Sequence, residues 1–424
     1  MESTPSVYKQ YESSVRGYCR RFNPVFTHAS GSILTDSAGR HYLDFLAACG
    51  ALNYGHNDPD MSAALIQHIR NQGLSAALDL HSLPKTRFLE AFRDLILRPR
   101  GLEYRLQFTG PTGTNAVEAA IKLARRVTGR HNIVAFTNGF HGVTLGALAA
   151  TGNKYNRMGL PLPGVFRAPY EHYAGAGFDS AAYLEQLLND PSSGVEAPAA
   201  ILLETVQGEG GLNTVSPAWI QAIAALAKRQ GALLIVDDVQ AGCGRTGSFF
   251  SFEPLGIEPD LVVLSKSLSG YGLPMALVLI RPEHDSWQPG EHNGTFRGNT
   301  HAFVTARVAL EKYWSDSAFA QQIQAKGQQV AAGLERIAAL LPGARLKGRG
   351  MMRGIDVGSG ERADQICRAA FSTGLIIETS GPHDEVIKVL APLTTPDAQL
   401  AQGLEQLEQA AASVMAHTAP RRVA

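Results

Sequence analysis

The sequence predicts an α/β protein: a mostly parallel sheet covered on both faces, accompanied by a smaller α+β unit. Three observations carry this. The chain has 424 residues, beyond the roughly 250–300 at which one core stops growing. From about 104 to 281, short apolar runs alternate with helical stretches, the pattern of parallel strands joined by crossover helices. Beyond 344 the alternation gives way to shorter mixed segments.

In chain order, residues 31–47 alternate as strands do and turn at Asp36-Ser-Ala-Gly39, which predicts a hairpin. Residues 60–73 carry the spacing of an amphipathic helix. Strands are expected at 104–109, 132–136, 164–168, 199–203, 232–237, 260–264 and 276–280, with helices near 114–128, 180–189 and 216–230. Residues 301–341 read as helical and lead out of the large unit. In 344–415, residues 348–356 and 386–390 read as strands and 361–373 and 397–413 as helices. The tail from Thr418 is expected to be disordered. A large domain over 60–312 and a small one drawn from 1–59 and 313–424 are the expected division.

Composition narrows the function. Lysine plus arginine and aspartate plus glutamate both number 38, which argues against nucleic acid and anionic membranes as partners. The four cysteines show no metal-type or disulfide-framework spacing, so a reducing cytoplasm is expected. No apolar run is long enough to span a bilayer, and the first residues do not read as a signal sequence.

The most informative residue is Lys266. The run Gly231-Ala-Leu-Leu-Ile-Val-Asp-Asp238 reads as a buried strand ending in two acids, and Leu261-Val-Val-Leu264 as the next strand, ending at Ser265-Lys266. Ligands of open α/β sheets bind beyond the carboxyl ends of strands. An acid and a lysine at successive strand ends are what a pyridoxal phosphate enzyme needs. The amine condenses with the cofactor aldehyde, and the carboxylate keeps the pyridine nitrogen protonated. Either Asp237 or Asp238 could be the acid that faces inward. Three further motifs fall at strand ends. Phe108-Thr-Gly-Pro-Thr-Gly-Thr-Asn115 opens a helix, where Gly113 and Thr114 can meet a phosphate or simply cap the helix. Asn138-Gly-Phe-His-Gly142 offers an aromatic that could stack on a planar ring or pack in the core. Glu204-Thr-Val-Gln-Gly-Glu209 places two acids after a strand. No Gly-x-Gly-x-x-Gly follows the first strand of the sheet, which disfavours a nicotinamide enzyme.

In order and spacing these motifs resemble the class III (ω-amino acid) aminotransferases of pyridoxal-phosphate fold type I, over nearly the whole chain. The resemblance implies that Lys266 holds the cofactor and Asp237 pairs with the ring nitrogen. Val239 and Phe140 would cover the two ring faces, with His141 and Glu204 beside them. Gln240 would bond the ring hydroxyl, and Gly113 and Thr114 the phosphate. Thr295, in His292-Asn-Gly-Thr-Phe-Arg-Gly-Asn299, would reach the phosphate of a partner subunit, which implies a homodimer with shared active sites.

Within the class the chain is most similar to the diaminobutyrate type of ectoine pathways, through Ala51-Leu-Asn-Tyr-Gly-His56, Gly110-Pro-Thr-Gly-Thr-Asn115, Phe136-Thr-Asn-Gly-Phe-His-Gly142 and Thr295-Phe-Arg-Gly-Asn299. This implies amino transfer between glutamate and 2-oxoglutarate on one side and 2,4-diaminobutyrate and aspartate 4-semialdehyde on the other. Ornithine-type members carry tyrosine where this chain has Cys49 and arginine where it has Val143, which argues against ornithine. Many members pair the acid corresponding to Glu209 with an arginine. Here Lys388, in Glu385-Val-Ile-Lys-Val-Leu-Ala-Pro392, stands in that place. Lysine offers a point charge but no planar two-pronged bond. Either Lys388 pairs with Glu209, or Arg297 takes over a substrate carboxylate. The rival activities are transamination of 4-aminobutyrate, ornithine or lysine, and a non-catalytic protein of the same fold.

Overall fold

The computed structural model describes residues 6–160 and 162–418. Three sheets organise it. The N-terminal strands β1 (Phe26–Ser30), β2 (Ile33–Asp36) and β3 (His41–Asp44) form an antiparallel meander. The central sheet holds β4 (Arg105–Phe108), β5 (Ile133–Phe136), β6 (Val165–Ala168), β7 (Ala200–Leu203), β8 (Leu233–Asp237), β9 (Leu261–Leu264) and β10 (Leu277–Ile280). The C-terminal part adds β11 (Arg345–Arg349), β12 (Met352–Asp356), β13 (Leu375–Ile376), β14 (Glu378–Ser380) and β15 (Val386–Val389).

The central order is β4-β10-β9-β8-β7-β5-β6, parallel except for β10, which runs against both neighbours. Strands β5, β7, β8, β9 and β10 are buried at every position, which is why they read as unbroken apolar runs. Helix Gly113–Thr128 packs the alanine-rich face of its first turns on one side of the sheet. Helix Pro217–Gln230 covers the other, through Trp219, Ile220 and Ile223. Because β4, β5, β7, β8 and β9 share one direction, their carboxyl ends open on one edge of the sheet.

The short strand β13 pairs in parallel with β3, so the N-terminal and C-terminal segments share a sheet. Two expected elements differ. Residues 348–356 are not one strand but the end of β11, a turn and β12, paired as a hairpin with Arg349 opposite Met352. Gly350, at φ +61°, makes the turn that a uniform strand excludes. The helical stretch 301–341 is two helices, Thr300–Tyr313 and Ala318–Ala339. The break follows Trp314, which is buried and bonded to the Tyr54 hydroxyl at 2.8 Å, while Asp316 accepts from the Ala318 amide at 2.8 Å. Helix Leu83–Ala91 was not anticipated, although Ser82 caps it and Pro84 sits in its first turn. Of the tail expected to be disordered, Thr418 instead ends the helix Asp397–Thr418, and residues 419–424 lie outside the described residues. Among the described residues no helix is long and apolar enough to cross a membrane.

Candidate active site

The shared strand edge encloses a cavity of about 220 Å³. Of the residues expected to hold a cofactor, all but Thr295 line it: Gly113, Thr114, Phe140, His141, Glu204, Asp237, Val239, Gln240 and Lys266. A wider groove of about 2110 Å³ runs from Lys266 past Phe140, Cys49, Glu209, Glu378 and Tyr18 to the surface.

Backbone geometry settles which acid faces inward. Asp237 ends β8 on the cavity side, its Oδ2 accepting from His141 Nδ1 at 2.8 Å and its Oδ1 from the Val239 amide at 3.2 Å. Since the carboxylate accepts, Nδ1 of His141 carries the proton. Burial pulls the His141 pKa down, but the Asp237 carboxylate outweighs it and the net shift is upward. Asp238 points the other way and accepts from the Ser251 amide at 3.0 Å. Burial pushes its pKa up to about 7.

Gly113 is the first residue of a 16-residue helix whose leading amides have no partner within the helix. A β-carbon there would stand 3.0 Å from Val239 Cγ1, so only glycine leaves Val239 its place on the cavity wall. Thr144 Oγ1 donates to Glu118, which leaves Thr114 as the donor in the 2.6 Å Thr114–Thr144 contact. Glu204 ties two loops together: Oε1 accepts from the Phe140 amide and Oε2 from the Gly208 amide, both at 2.9 Å. Its burial holds its pKa above the usual carboxylate range.

Lys266 opens a short turn at φ +52°, a left-handed conformation that a side chain rarely adopts. Burial lowers the pKa of its amine, with Glu209 acting against that shift. Its neighbour Ser267 donates to Gly50 O at 2.6 Å and accepts from the Asn53 amide at 3.1 Å, anchoring the turn to the N-terminal segment. That segment is itself left-handed. Ala47, Ala48, Cys49 and Gly50 have φ of +45°, +48°, +58° and +80° in succession. Asp44 Oδ1 stabilises the entry by accepting from the Leu46 and Ala47 amides at 2.9 and 2.8 Å. The turn brings the Cys49 carbonyl to Gln240 Nε2 at 3.0 Å and the Cys49 sulfur to the Tyr18 hydroxyl at 2.7 Å. Burial raises the Cys49 thiol to about 11.

Lys388 does meet Glu209, at 3.0 Å. Its Nζ lies equally close to Glu378, which the sequence reading missed. Lys388 and Glu378 face each other across the β14–β15 pair, and the Lys388 side chain is fully buried. Glu209 also accepts from Gln240 Nε2 at 3.1 Å. Burial tends to raise the Glu209 pKa, but Lys388 and Lys266 bring it below its ordinary value. Tyr18 was missed too. Only the fold brings it to Cys49, 31 positions away. Glu378 had a faint signal, a β-rich Ile376-Ile-Glu-Thr379 one turn before the Lys388 strand.

Val143 lines the small cavity and is more than half exposed. Thr295 and Arg297 sit in the short turn Thr295–Gly298 and line neither space of their own chain. Arg297 is ion-paired with Asp79 and donates to His292 O at 3.3 Å.

The donor set fits pyridoxal phosphate. An amine and a carboxylate face one small cavity, walls of Val239 and Phe140 suit a flat ring, and a helix N-terminus suits a phosphate. Among the described residues, the buried Oε1 of Gln240 and Nε2 of His141 have no hydrogen-bond partner, as expected of polar atoms that face a ligand site.

Comparison with known proteins agrees. The family described as "Aminotransferase class-III" matches residues 18–411. The diaminobutyrate–2-oxoglutarate transaminase of Vibrio cholerae is 58% identical over 409 residues, 95% of this chain and 98% of that protein. The transaminase of the same name from Halomonas elongata is 53% identical, over 95% of this chain and 97% of its own. Among solved structures, the ornithine aminotransferase of Toxoplasma gondii ME49 superposes with a TM-score of 0.84 at 24% identity, covering 97% of this chain and 95% of its own. A transaminase from the marine bacterium Virgibacillus gives 0.86 at 20% identity, covering 98% and 99%. At such identities the structures speak for the fold alone. The matched span and these identities establish that the chain belongs to the class-III aminotransferases.

Proposed function

We propose that this chain, with pyridoxal phosphate bound, moves an amino group between L-glutamate and aspartate 4-semialdehyde, giving 2-oxoglutarate and L-2,4-diaminobutyrate. The observation that carries the chemistry is the convergence of Lys266 and Asp237 on one cavity. The substrates follow from relatives named for them that are 50–58% identical over most of the chain.

The bound cofactor supplies an aldehyde that takes up the substrate amine and a ring that disperses the electron pair left by proton removal. The protein supplies the rest. Asp237, oriented by His141, holds a proton on the ring nitrogen and so keeps the ring electron-withdrawing. Lys266 would serve first as base, taking the proton from the substrate carbon that bears the amine, and then as acid, giving a proton back. Burial favours its neutral form, the form a base needs. The amides at Gly113 and Thr114 would hold the phosphate, with Val239 on the same cavity wall. Thr295 serves the phosphate of a second subunit, so the working form is a homodimer. The four unpaired cysteines suit a reducing cytoplasm. Glu209 and Cys49 line the route by which substrate reaches Lys266, and the buried Lys388 holds Glu209 from behind.

A half-reaction tests this reading. The purified, cofactor-loaded protein receives one amine at a time, without acceptor, while its visible absorption is followed. Bleaching by glutamate and by 2,4-diaminobutyrate, but not by ornithine or 4-aminobutyrate, is the expected result. Bleaching by glutamate and a different diamine replaces the substrate, and the absence of any visible band overturns the chemistry.

A further inference from the structure

One lysine serves two carboxylates in the groove that leads to Lys266. Lys388 Nζ stands 3.0 Å from Glu209 and 3.0 Å from Glu378. Glu209 is well supplied, with aligned donors from both Lys388 and Gln240. Glu378 is not. Its Oε1 is buried, and among the described residues the Lys388 ammonium at 3.0 Å is its one neighbouring donor, without an aligned hydrogen bond. The residue is only 5% exposed yet lines the groove together with Lys266, Cys49 and Tyr18. Lys388 alone against two acids leaves a formal charge of −1; Lys266 also acts on both acids, and burial raises the Glu378 pKa, the mark of a carboxylate short of compensation. A buried carboxylate left short of a donor is costly. A cation entering the groove would relieve that cost.

The same geometry removes Lys388 as a carboxylate clamp. Its side chain has no exposed surface, and two acids already share its charge. The substrate that gains most from this arrangement is one that brings an ammonium. A diamino acid reacting at Lys266 through its terminal amine carries a second ammonium further along its chain. Glutamate has none.

We propose that Glu378 is a specificity-determining residue that receives the non-reacting ammonium of the diamino acid. This rests on the function proposed above and deepens it. Glu378 then acts in one half-reaction and not in the other, which gives the enzyme a way to tell its two amino donors apart.

The test compares wild type with Glu378→Gln, both cofactor-loaded, in the bleaching half-reaction over a range of amine concentrations. Loss of a charged hydrogen-bond partner predicts that the specificity constant for 2,4-diaminobutyrate falls roughly 10–100-fold more than that for glutamate. The excess should lie mostly in half-saturation rather than in limiting rate. Glu378→Asp, which keeps the charge, should recover part of it. Equal losses for the two amines would mean a merely structural role and overturn the proposal.

A substrate-side measurement needs no variant. Wild type should prefer 2,4-diaminobutyrate over its Nα-acetyl derivative, which lacks the ammonium, by a similar factor, and equal reactivity overturns the proposal. If wild type reacts with another diamine instead, the substrate reading falls while Glu378→Gln assayed with that diamine still decides the role of Glu378. If no diamine reacts, both fall.

Discussion

At the scale of single residues, the site works by setting environments against one another. Lys266 is buried and so leans toward its neutral form, while Lys388, also buried, is held charged by two acids. Lys266→Ala is expected to abolish turnover and the visible cofactor band together. Asp237→Asn should lower turnover by roughly 10²-fold or more, because it removes a charge aimed at the reacting ring, while the protein still takes up cofactor. Turnover assays paired with absorption spectra of the two variants check both expectations. Lys266 was legible in the sequence because a lysine ending an apolar strand is unusual. Asp237 was legible only as one of a pair, since the pattern places two acids at the strand end and only the folded turn decides which side chain enters the cavity. Tyr18 was not legible as a site residue, and Glu378 only faintly. Each belongs through a contact made by tertiary folding, and neither residue type is unusual where it stands.

At the scale of elements, the loop after β8 shows how the sheet edge is held. Asp238 is buried behind it, raised from an ordinary value of 3.8 to about 7. For an acid raised by folding, the native state binds a proton that the unfolded chain has lost. The associated stability is present in full below about pH 4 and disappears as pH rises through 7. Asp238→Asn should therefore flatten the fall in thermal midpoint between about pH 4 and pH 7, measured as melting curves of both proteins across that range. The strands of the central sheet were legible because both faces are buried and their sequences are unbroken apolar runs. The β11–β12 hairpin was not, because Gly348 and Gly350 read as flexible strand residues until the turn at Gly350 is seen.

At the scale of the whole molecule, a single buried guanidinium joins regions distant in sequence. Arg245, in the loop after β8, is fully buried and donates to Asn53 Oδ1 from the N-terminal segment at 3.1 and 2.5 Å. It also donates to Ala391 O at 2.6 Å and Met351 O at 3.4 Å, both in the C-terminal part. Burial lowers its pKa to about 9. Arg245→Met would strand these acceptors and is expected to cost on the order of 3–5 kcal/mol. A clear fall in melting temperature checks this, and an unchanged midpoint would refute it.

The run of left-handed residues from Ala47 to Gly50 bears on any attempt to improve this protein. A comparison of each position with common backbone habits would mark Ala47, Ala48 and Cys49 as faults and suggest glycine at all of them. Such a change would raise heat resistance by relaxing a conformation that costs an alanine about 1 kcal/mol or more. It would also loosen the aim of the Cys49 carbonyl and sulfur at Gln240 and Tyr18. Discomfort in the backbone is here a form of precision, and an engineer who removes it should expect a tougher, less discriminating catalyst.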